Sequence, residues 1–280
     1  MLTKRIKDIV AIILTGDGTL TLIGARERTL VWRFGPEGLR RSMSWQADQS
    51  TATANRVGLY SSILTALTTA VTFGLAITAV PNAGSGCRVD CVEYPYLDTM
   101  SEFPRDYLWM PPAMLLVVLY VVLVSSIHVQ AGPRKKVHAQ LGLSFALLLA
   151  GVLLGDYFVQ FSVVPVSLMH GQTEGLVLLT QYNPYGAFIV LEELGYLLMS
   201  LSFMFLAPVF AGGGRLASAI RWVFMGGFVL TLVFLVAISA IYGLGRMDRF
   251  EISAISIAWL VLAANGVLLG LLFRRREKVG

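Results

Sequence analysis

Charge is what this sequence has least of. Asp, Glu, Lys and Arg make up 14% of its 280 residues, where a soluble domain carries about 25%. A chain that is 56% hydrophobic, with a mean hydropathy of +0.70, cannot cover a folded surface with polar groups. Lipid has to be its solvent. Cysteine is nearly absent too. Cys87 and Cys91 are the only two, too few for a disulfide scaffold, and Cys-x-x-x-Cys is not the Cys-x-x-Cys of a thioredoxin-type site. With His170 as the one histidine expected on the same side, they make no zinc signature. Catalytic motifs are missing as well: no Gly-x-Ser-x-Gly, no His-Glu-x-x-His, no Gly-x-x-x-x-Gly-Lys and no intramembrane histidine pair for haem. Gly155-Asp156 has no second aspartate in a neighbouring span, which an intramembrane aspartyl protease needs. These absences point away from an enzyme and supply no metal or cofactor site. The first apolar run, Ile9 to Gly24, is broken by Asp17 and has no small-residue cleavage site, so no cleaved signal peptide is expected.

Long apolar runs are what the sequence does have. Six are long enough to cross about 30 Å of hydrocarbon, which takes roughly 20 residues: 57–80, 108–131, 139–164, 187–211, 219–243 and 252–273. Basic residues fall on alternate sides of them. The N-terminal stretch (Lys4, Arg5, Lys7, Arg26, Arg28, Arg33, Arg40, Arg41, Arg56), the second loop (Arg134, Lys135, Lys136), the fourth loop (Arg215, Arg221) and the tail from Arg274 to Lys278 share one side. The other loops are acidic or mixed. Cytoplasmic loops are the basic ones, so the expectation is an all-α transmembrane helical bundle of six spans with both termini in the cytoplasm. Residues 1–56 form a cytoplasmic or interfacial segment, 57–275 the membrane domain and 276–280 a basic tail. The net charge of +5 then reads as topology, not as a nucleic-acid surface.

The N-terminal stretch admits two structures. Lys4 to Gly24 reads as a short interfacial helix, basic at its start. Thr19–Ile23 and Thr29–Phe34 also flank a polar Ala25–Arg28 turn, as a hairpin would. A seventh span over residues 5–24 would bury Asp17 in lipid and carry Lys4, Arg5 and Lys7 across, and is disfavoured.

The segments Tyr94–Asp98, Phe103–Met110, Gly155–Gln160, Gln181–Gly186 and Leu191–Ser200 together resemble a group of bacterial multipass membrane proteins to which no activity is attached. The resemblance covers roughly residues 57–275. Around Trp32-Arg-Phe-Gly-Pro the chain looks like the cytoplasmic-side portion of other small bacterial membrane proteins. The resemblance implies a six-helix protein of the bacterial inner membrane and transfers no catalytic residue.

Ionisable groups inside a span are costly and usually functional. Asp156 in the third span and Glu192 and Glu193 in the fourth fall at about one depth, with Gln160 and Tyr196 one turn further along their helices. Apart from Arg221 at the basic edge of the fifth, no Lys or Arg lies within a span to neutralise them. They are protonated, or bind a cation, or hydrogen-bond the loops with Arg105, Arg246 or Arg249 reaching down. The partly apolar 165–186 loop is placed to cover them or to rest on headgroups, and Asn183-Pro184 marks a turn. Ser61, Thr65, Thr68 and Thr72 form a hydroxyl stripe best read as bonding back to the helix. Gly151-Val-Leu-Leu-Gly155 and Gly266-Val-Leu-Leu-Gly270 are small-xxx-small patterns for close helix packing, and Asn265 reads as an interhelical hydrogen bond. Cys87 and Cys91 are expected to pair in an oxidising compartment. Two functions fit: interaction, sensing or assembly with a protein partner or a second copy of the chain, around a structural polar network; or proton- or cation-coupled transport through the carboxylates. The bilayer is the partner common to both.

Overall fold

The computed structural model describes residues 9–14, 19–24, 29–33, 36–79 and 83–277, with side-chain surroundings from Thr51 onward. It divides into two units, Met1–Thr53 and Ala54–Gly280. The first holds three short strands, β1 (Ile9–Leu14), β2 (Thr19–Gly24) and β3 (Thr29–Arg33), paired antiparallel in the order β1-β2-β3. Leu20 sits opposite Leu14 on one side and Trp32 on the other. Strands therefore stand over 9–14 and 19–24, where an interfacial helix or a seventh span was the alternative. Thr19 and Thr21 alternate with Leu20 and Leu22 in β2, a period of two that a helix cannot use, and β1 is rich in β-branched Ile and Val. Residues 25–28, the expected turn, lie outside the described residues.

The second unit is all-α among its described residues. Its helices are α1 (Pro36–Thr78, entering this unit at Ala54), α2 (Met110–Gln130), α3 (Lys136–Ser162), the short α4 (Val164–Met169) and α5 (Leu176–Leu179), α6 (Ala187–Leu206), α7 (Arg215–Tyr242) and α8 (Met247–Glu277). Local chemistry sets the ends. Pro111 and Pro112 open α2 where their missing N–H groups cost nothing. Gly132-Pro133 separates α2 from α3, and Gly212–Gly214 precedes α7. Asn183 Oδ1 accepts the Tyr185 N–H at 3.0 Å, an Asx turn that leads into α6.

Five stretches are long and apolar enough to cross a membrane: Thr51–Thr78, Arg105–Gln130, Pro133–Met169, Ala187–Phe210 and Arg215–Glu277. The chain is a membrane protein. The fifth stretch, 63 residues long, contains both α7 and α8, separated by the Gly243–Arg246 turn. Outward faces agree with lipid as solvent: Leu67, Val71, Leu147, Val236, Leu260 and Val267 are all more than half exposed. Lipid satisfies apolar surface, so no hydrophobic penalty attaches to them.

Packing places α6 at the centre, against α3, α7 and α8. Contacts run through small residues. A Cβ on Gly195 of α6 would lie 2.4 Å from the Leu153 side chain of α3. On Gly266 of α8 it would lie 2.9 Å from the Ser62 carbonyl oxygen of α1, and on Gly270 3.2 Å from Ser62 Oγ. Gly151 and Gly155 face open space, so the two identical pentapeptides do different things. The α8 copy makes a helix crossing through its glycines; the glycines of the α3 copy meet no neighbour, and that copy packs on α6 through Leu153 instead. In the hydroxyl stripe, Ser61 bonds the Gly58 carbonyl and Thr72 the Thr68 carbonyl, while Thr65 Oγ1 has no partner. Asn265 corrects an expectation: it is buried, and neither its oxygen nor its nitrogen finds a partner.

Gly266→Ala should destabilise the protein by about 1–3 kcal/mol, because the new methyl meets backbone that cannot swing aside. Gly151→Ala should be neutral or stabilising by up to about 1 kcal/mol through helix propensity. Thermal loss of the helical circular-dichroism signal in detergent checks both. Equal effects from the two substitutions would contradict the α1–α8 crossing.

Candidate functional site

One end of the bundle carries the 83–109 loop, the 163–186 loop and the Gly243–Arg246 turn; it is called here the disulfide end, because Cys87 and Cys91 are joined there. The other, basic end carries the 131–136 and 211–215 turns and the end of α8. At the disulfide end lies a cavity of about 400 Å³. Phe73 and Ala76 of α1, Phe188 and Glu192 of α6, and Glu251 and Trp259 of α8 line it, along with the loop residues Asp106, Gln181 and Tyr182. The 163–186 loop thus walls the cavity, and does so with its last residues.

Among the described residues four carboxylates line this cavity, and no Lys, Arg or His does. Two are already satisfied. Asp106 accepts from Arg105 Nε at 2.8 Å and from the Tyr182 hydroxyl at 3.0 Å. Asp248 accepts the Ser85 backbone N–H at 2.6 Å and has Arg249 at 3.7 Å. Gly84 makes that contact accessible: its φ is +69°, and a Cβ there would lie 2.7 Å from Asp248 Oδ2. Burial, and then the Asp106 carboxylate, hold the Tyr182 phenol far above the ordinary tyrosine range.

Glu192 and Glu251 differ from these. Glu192 is fully buried, and its Oε1 accepts the Tyr157 hydroxyl at 2.6 Å. Its Oε2 meets no donor. What faces Glu192 instead is the carboxyl group of Glu251, buried at 8% exposure. Two neighbouring carboxylates cannot both keep full negative charge in a dry site, so the pair calls for a proton or another cation. Behind Glu192 runs an ordered chain of donors. The Trp259 indole N–H donates to Tyr196 Oη at 3.1 Å, Tyr196 and Tyr157 Oη are 3.0 Å apart, and Tyr157 donates onward to Glu192. Because indole can only donate, each hydroxyl in turn points its hydrogen towards the carboxylate.

The carboxylates grouped from sequence therefore part company. Glu193, one residue on, is turned about 100° around the helix, and Arg246 Nη1 bridges its two oxygens at 2.8 and 3.0 Å. Glu193 is a latch between α6 and the turn before α8. Asp156 is close enough to Glu192 to feel its charge, yet it lies outside the cavity wall, with Oδ2 buried and unpartnered. Gln160 ties α3 to both loops, accepting the Gln181 N–H at 3.1 Å and reaching Tyr107 Oη at 3.4 Å. Tyr196 is a link in the donor chain. Cys87 and Cys91 are disulfide-bonded in the loop. Gly151, Gly155, Gly266 and Gly270 lie away from the cavity wall. Among the described residues no group of three or more His, Cys, Asp or Glu side chains could hold a metal ion.

Glu251 and Asp106 escaped the sequence reading because both fall in stretches assigned to loops. The signal was present. Helix α8 begins at Met247, so Glu251, Ile255 and Trp259 follow at i, i+4 and i+8 and share a face.

A second cavity of about 270 Å³ opens at the basic end, beside Lys135, Arg276 and Gln130. Its cations are engaged: Lys135 donates to the Val209 and Ala211 carbonyls, and Arg276 to Gln130 Oε1. Between the two cavities the bundle is filled by Met199, Phe203, Phe224, Leu262 and Leu269, all buried. Compared with protein families, curated proteins and solved structures, the chain matches none.

Removing one partner of a half-buried ion pair leaves the other charged and unpaired. Arg246→Met should therefore lower stability by about 1–3 kcal/mol, and adding Glu193→Gln to it should recover most of that loss. Unfolding of the two single variants and the double variant measures the coupling. Strict additivity would show that the latch contributes nothing.

Proposed function

We propose that this is a six-span bacterial inner-membrane protein, with both termini in the cytoplasm, that binds a positively charged solute from outside. Its work is recognition or sensing. The observation that carries this reading is the Glu192–Glu251 pair: two buried carboxyl groups beside an open cavity whose lining offers them no cationic side chain. A negative site with apolar walls attracts a cation strongly, because the low dielectric leaves the charge unscreened.

Six spans follow from counting α7 and α8 separately. As one rod, 63 residues would reach about 95 Å, three times the hydrocarbon thickness. The two helices instead pack on each other across a four-residue turn. Arg134, Lys135, Lys136, Arg215 and Arg274–Arg276 then share the cytoplasmic side, and the Cys87–Cys91 disulfide lies on the oxidising side.

Transport is the second reading, and a buried carboxyl pair at a cavity favours it. The filled bundle below the cavity favours binding instead. A carrier site sits near the midplane, where both sides can reach it in turn. This one opens at one end, above close-packed Phe203 and Phe224.

The two readings separate in proteoliposomes. The native chain should show no proton, sodium or choline flux under an imposed gradient. A cation should still raise its melting temperature saturably, and Glu192→Gln should abolish that rise while the variant stays folded. Flux that Glu192→Gln or Asp156→Asn removes would make the protein a carrier and overturn the binding reading.

A further inference from the structure

The cation-binding reading leaves the guest's chemistry open, and the cavity narrows it. Net charge comes first. With Asp106 and Asp248 engaged, the remaining carboxyl groups on the cavity wall are Glu192 and Glu251, a pair that carries one negative charge once a single proton is bound. That arrangement matches a guest of single positive charge. A hard divalent ion is a poor match. Calcium takes six to eight oxygen ligands and magnesium six in a near-ideal octahedron, and among the described residues no cluster of three or more ligating side chains exists.

The walls come second. Apart from the carboxylates they are mostly apolar, and two indoles form a corner. The Trp109 and Trp259 ring centroids are 6.2 Å apart and tilted by 59°, with Phe73 edge-on to Trp259 at 5.9 Å. The Trp259 ring is held in place by its N–H bond to Tyr196. Such a corner offers π faces to a cation and apolar area to a carbon chain. A hydrated inorganic ion gains from neither, because its water shell keeps it off the rings. About 400 Å³ also exceeds what a bare ion fills and falls within the range of small-molecule sites.

The unpartnered oxygen comes third. Glu192 Oε2 is buried and lacks a donor. An acceptor in that state costs free energy until an N–H or O–H reaches it. Quaternary ammonium groups have no N–H to give; a protonated primary amine has three.

We propose that the cavity binds a primary alkylammonium ion, its nitrogen donating to Glu192 and Glu251 and its carbon chain lying against Trp109 and Trp259. This rests on the cation-binding reading above and names the guest. The charged head lies against the two carboxyl groups, which keep one proton and so present the single negative charge that the guest balances. The chain points along the apolar wall of α1 and α8, past Ala76 and Ile255. Length is limited by the cavity, so amines of a few carbons should bind better than ammonium itself, each added methylene contributing until the wall ends.

The test titrates n-butylammonium chloride into the full chain in nanodiscs, with tetramethylammonium, sodium and calcium chlorides as comparison probes at matched ionic strength. Thermal stabilisation and tryptophan emission are both read. n-Butylammonium should bind saturably and at least tenfold more tightly than tetramethylammonium, with emission changes that Trp259→Phe diminishes. Glu192→Gln should weaken binding at least tenfold. Because that variant alters a buried network, Ala76→Phe provides a second arm: it fills the cavity without touching either carboxyl group and should abolish binding in a folded protein. Saturable binding of sodium or calcium that Glu192→Gln removes, with none of n-butylammonium, would overturn the amine assignment and leave the cation-binding reading standing. No saturable response to any of the four salts would overturn both. Binding that survives Ala76→Phe would place the guest elsewhere.

Discussion

Two carboxyl groups facing one another in a dry helical bundle, without a basic side chain between them, are the constraint around which the disulfide end is arranged. An isolated carboxylate in a low-dielectric interior is costly enough that a protein normally removes its charge or pairs it. Here Glu192 has one oxygen held by a hydroxyl chain anchored on Trp259, and Glu251 stands against the other side. The neighbourhood treats its remaining charges differently. Glu193 is latched by Arg246, Asp106 by Arg105 and Tyr182, and Asp248 by backbone N–H. Among the described residues that line the cavity, Asp106 and Asp248 are engaged from the loops, and the Glu192–Glu251 pair has no basic side chain.

That selectivity separates a site from a structural network. A polar network that only locks helices together should satisfy its members, since a half-satisfied network is worse than an apolar core. Gln160 behaves in that structural way, joining α3 to the Gln181 backbone and to Tyr107. Asn265 and Asp156 also keep unpartnered atoms, so an open valence alone is not diagnostic. What singles out Glu192 is the coincidence of an open valence, a facing carboxyl group and a cavity with aromatic walls.

The sequence made the membrane spans legible because lipid imposes a length and a composition that no soluble fold requires. The α6 start was legible from Asn183-Pro184; whether the loop covered the carboxylates or rested on headgroups was not, and the residues that wall the cavity, Gln181 and Tyr182, follow its apolar stretch. Rotation about each helix axis was not. Glu192 and Glu193 are adjacent in sequence, and only packing decides which one turns to α8 and which to Arg246. Likewise, identical Gly-Val-Leu-Leu-Gly strings could not reveal that one meets α1 through its glycines while the glycines of the other face open space. Glu251 was hidden by a boundary: reading α8 from residue 252 put a buried carboxylate into a loop, although the helix starts at Met247. In the first unit, a period of two and a basic apolar stretch competed, and the strands took precedence over the interfacial helix.

The geometry also constrains how occupancy of the cavity could be felt elsewhere. The two cavities open at opposite ends, and large buried side chains close the space between them. Among the described residues, α8 is the one helix that lines both. It presents Glu251, Ile255 and Trp259 to the first, and Leu272, Phe273 and Arg276 to the second. Its far end is fastened to α1 by the Asn55 amide on the Phe273 carbonyl, 3.0 Å away, and to α2 by Arg276 on Gln130. A helix moves as a rigid body more readily than it bends. A guest that draws Glu251 towards Glu192 therefore acts on the same rod that holds Arg276 at the other face. Coupling across this bundle needs no relay of side chains through its filled centre.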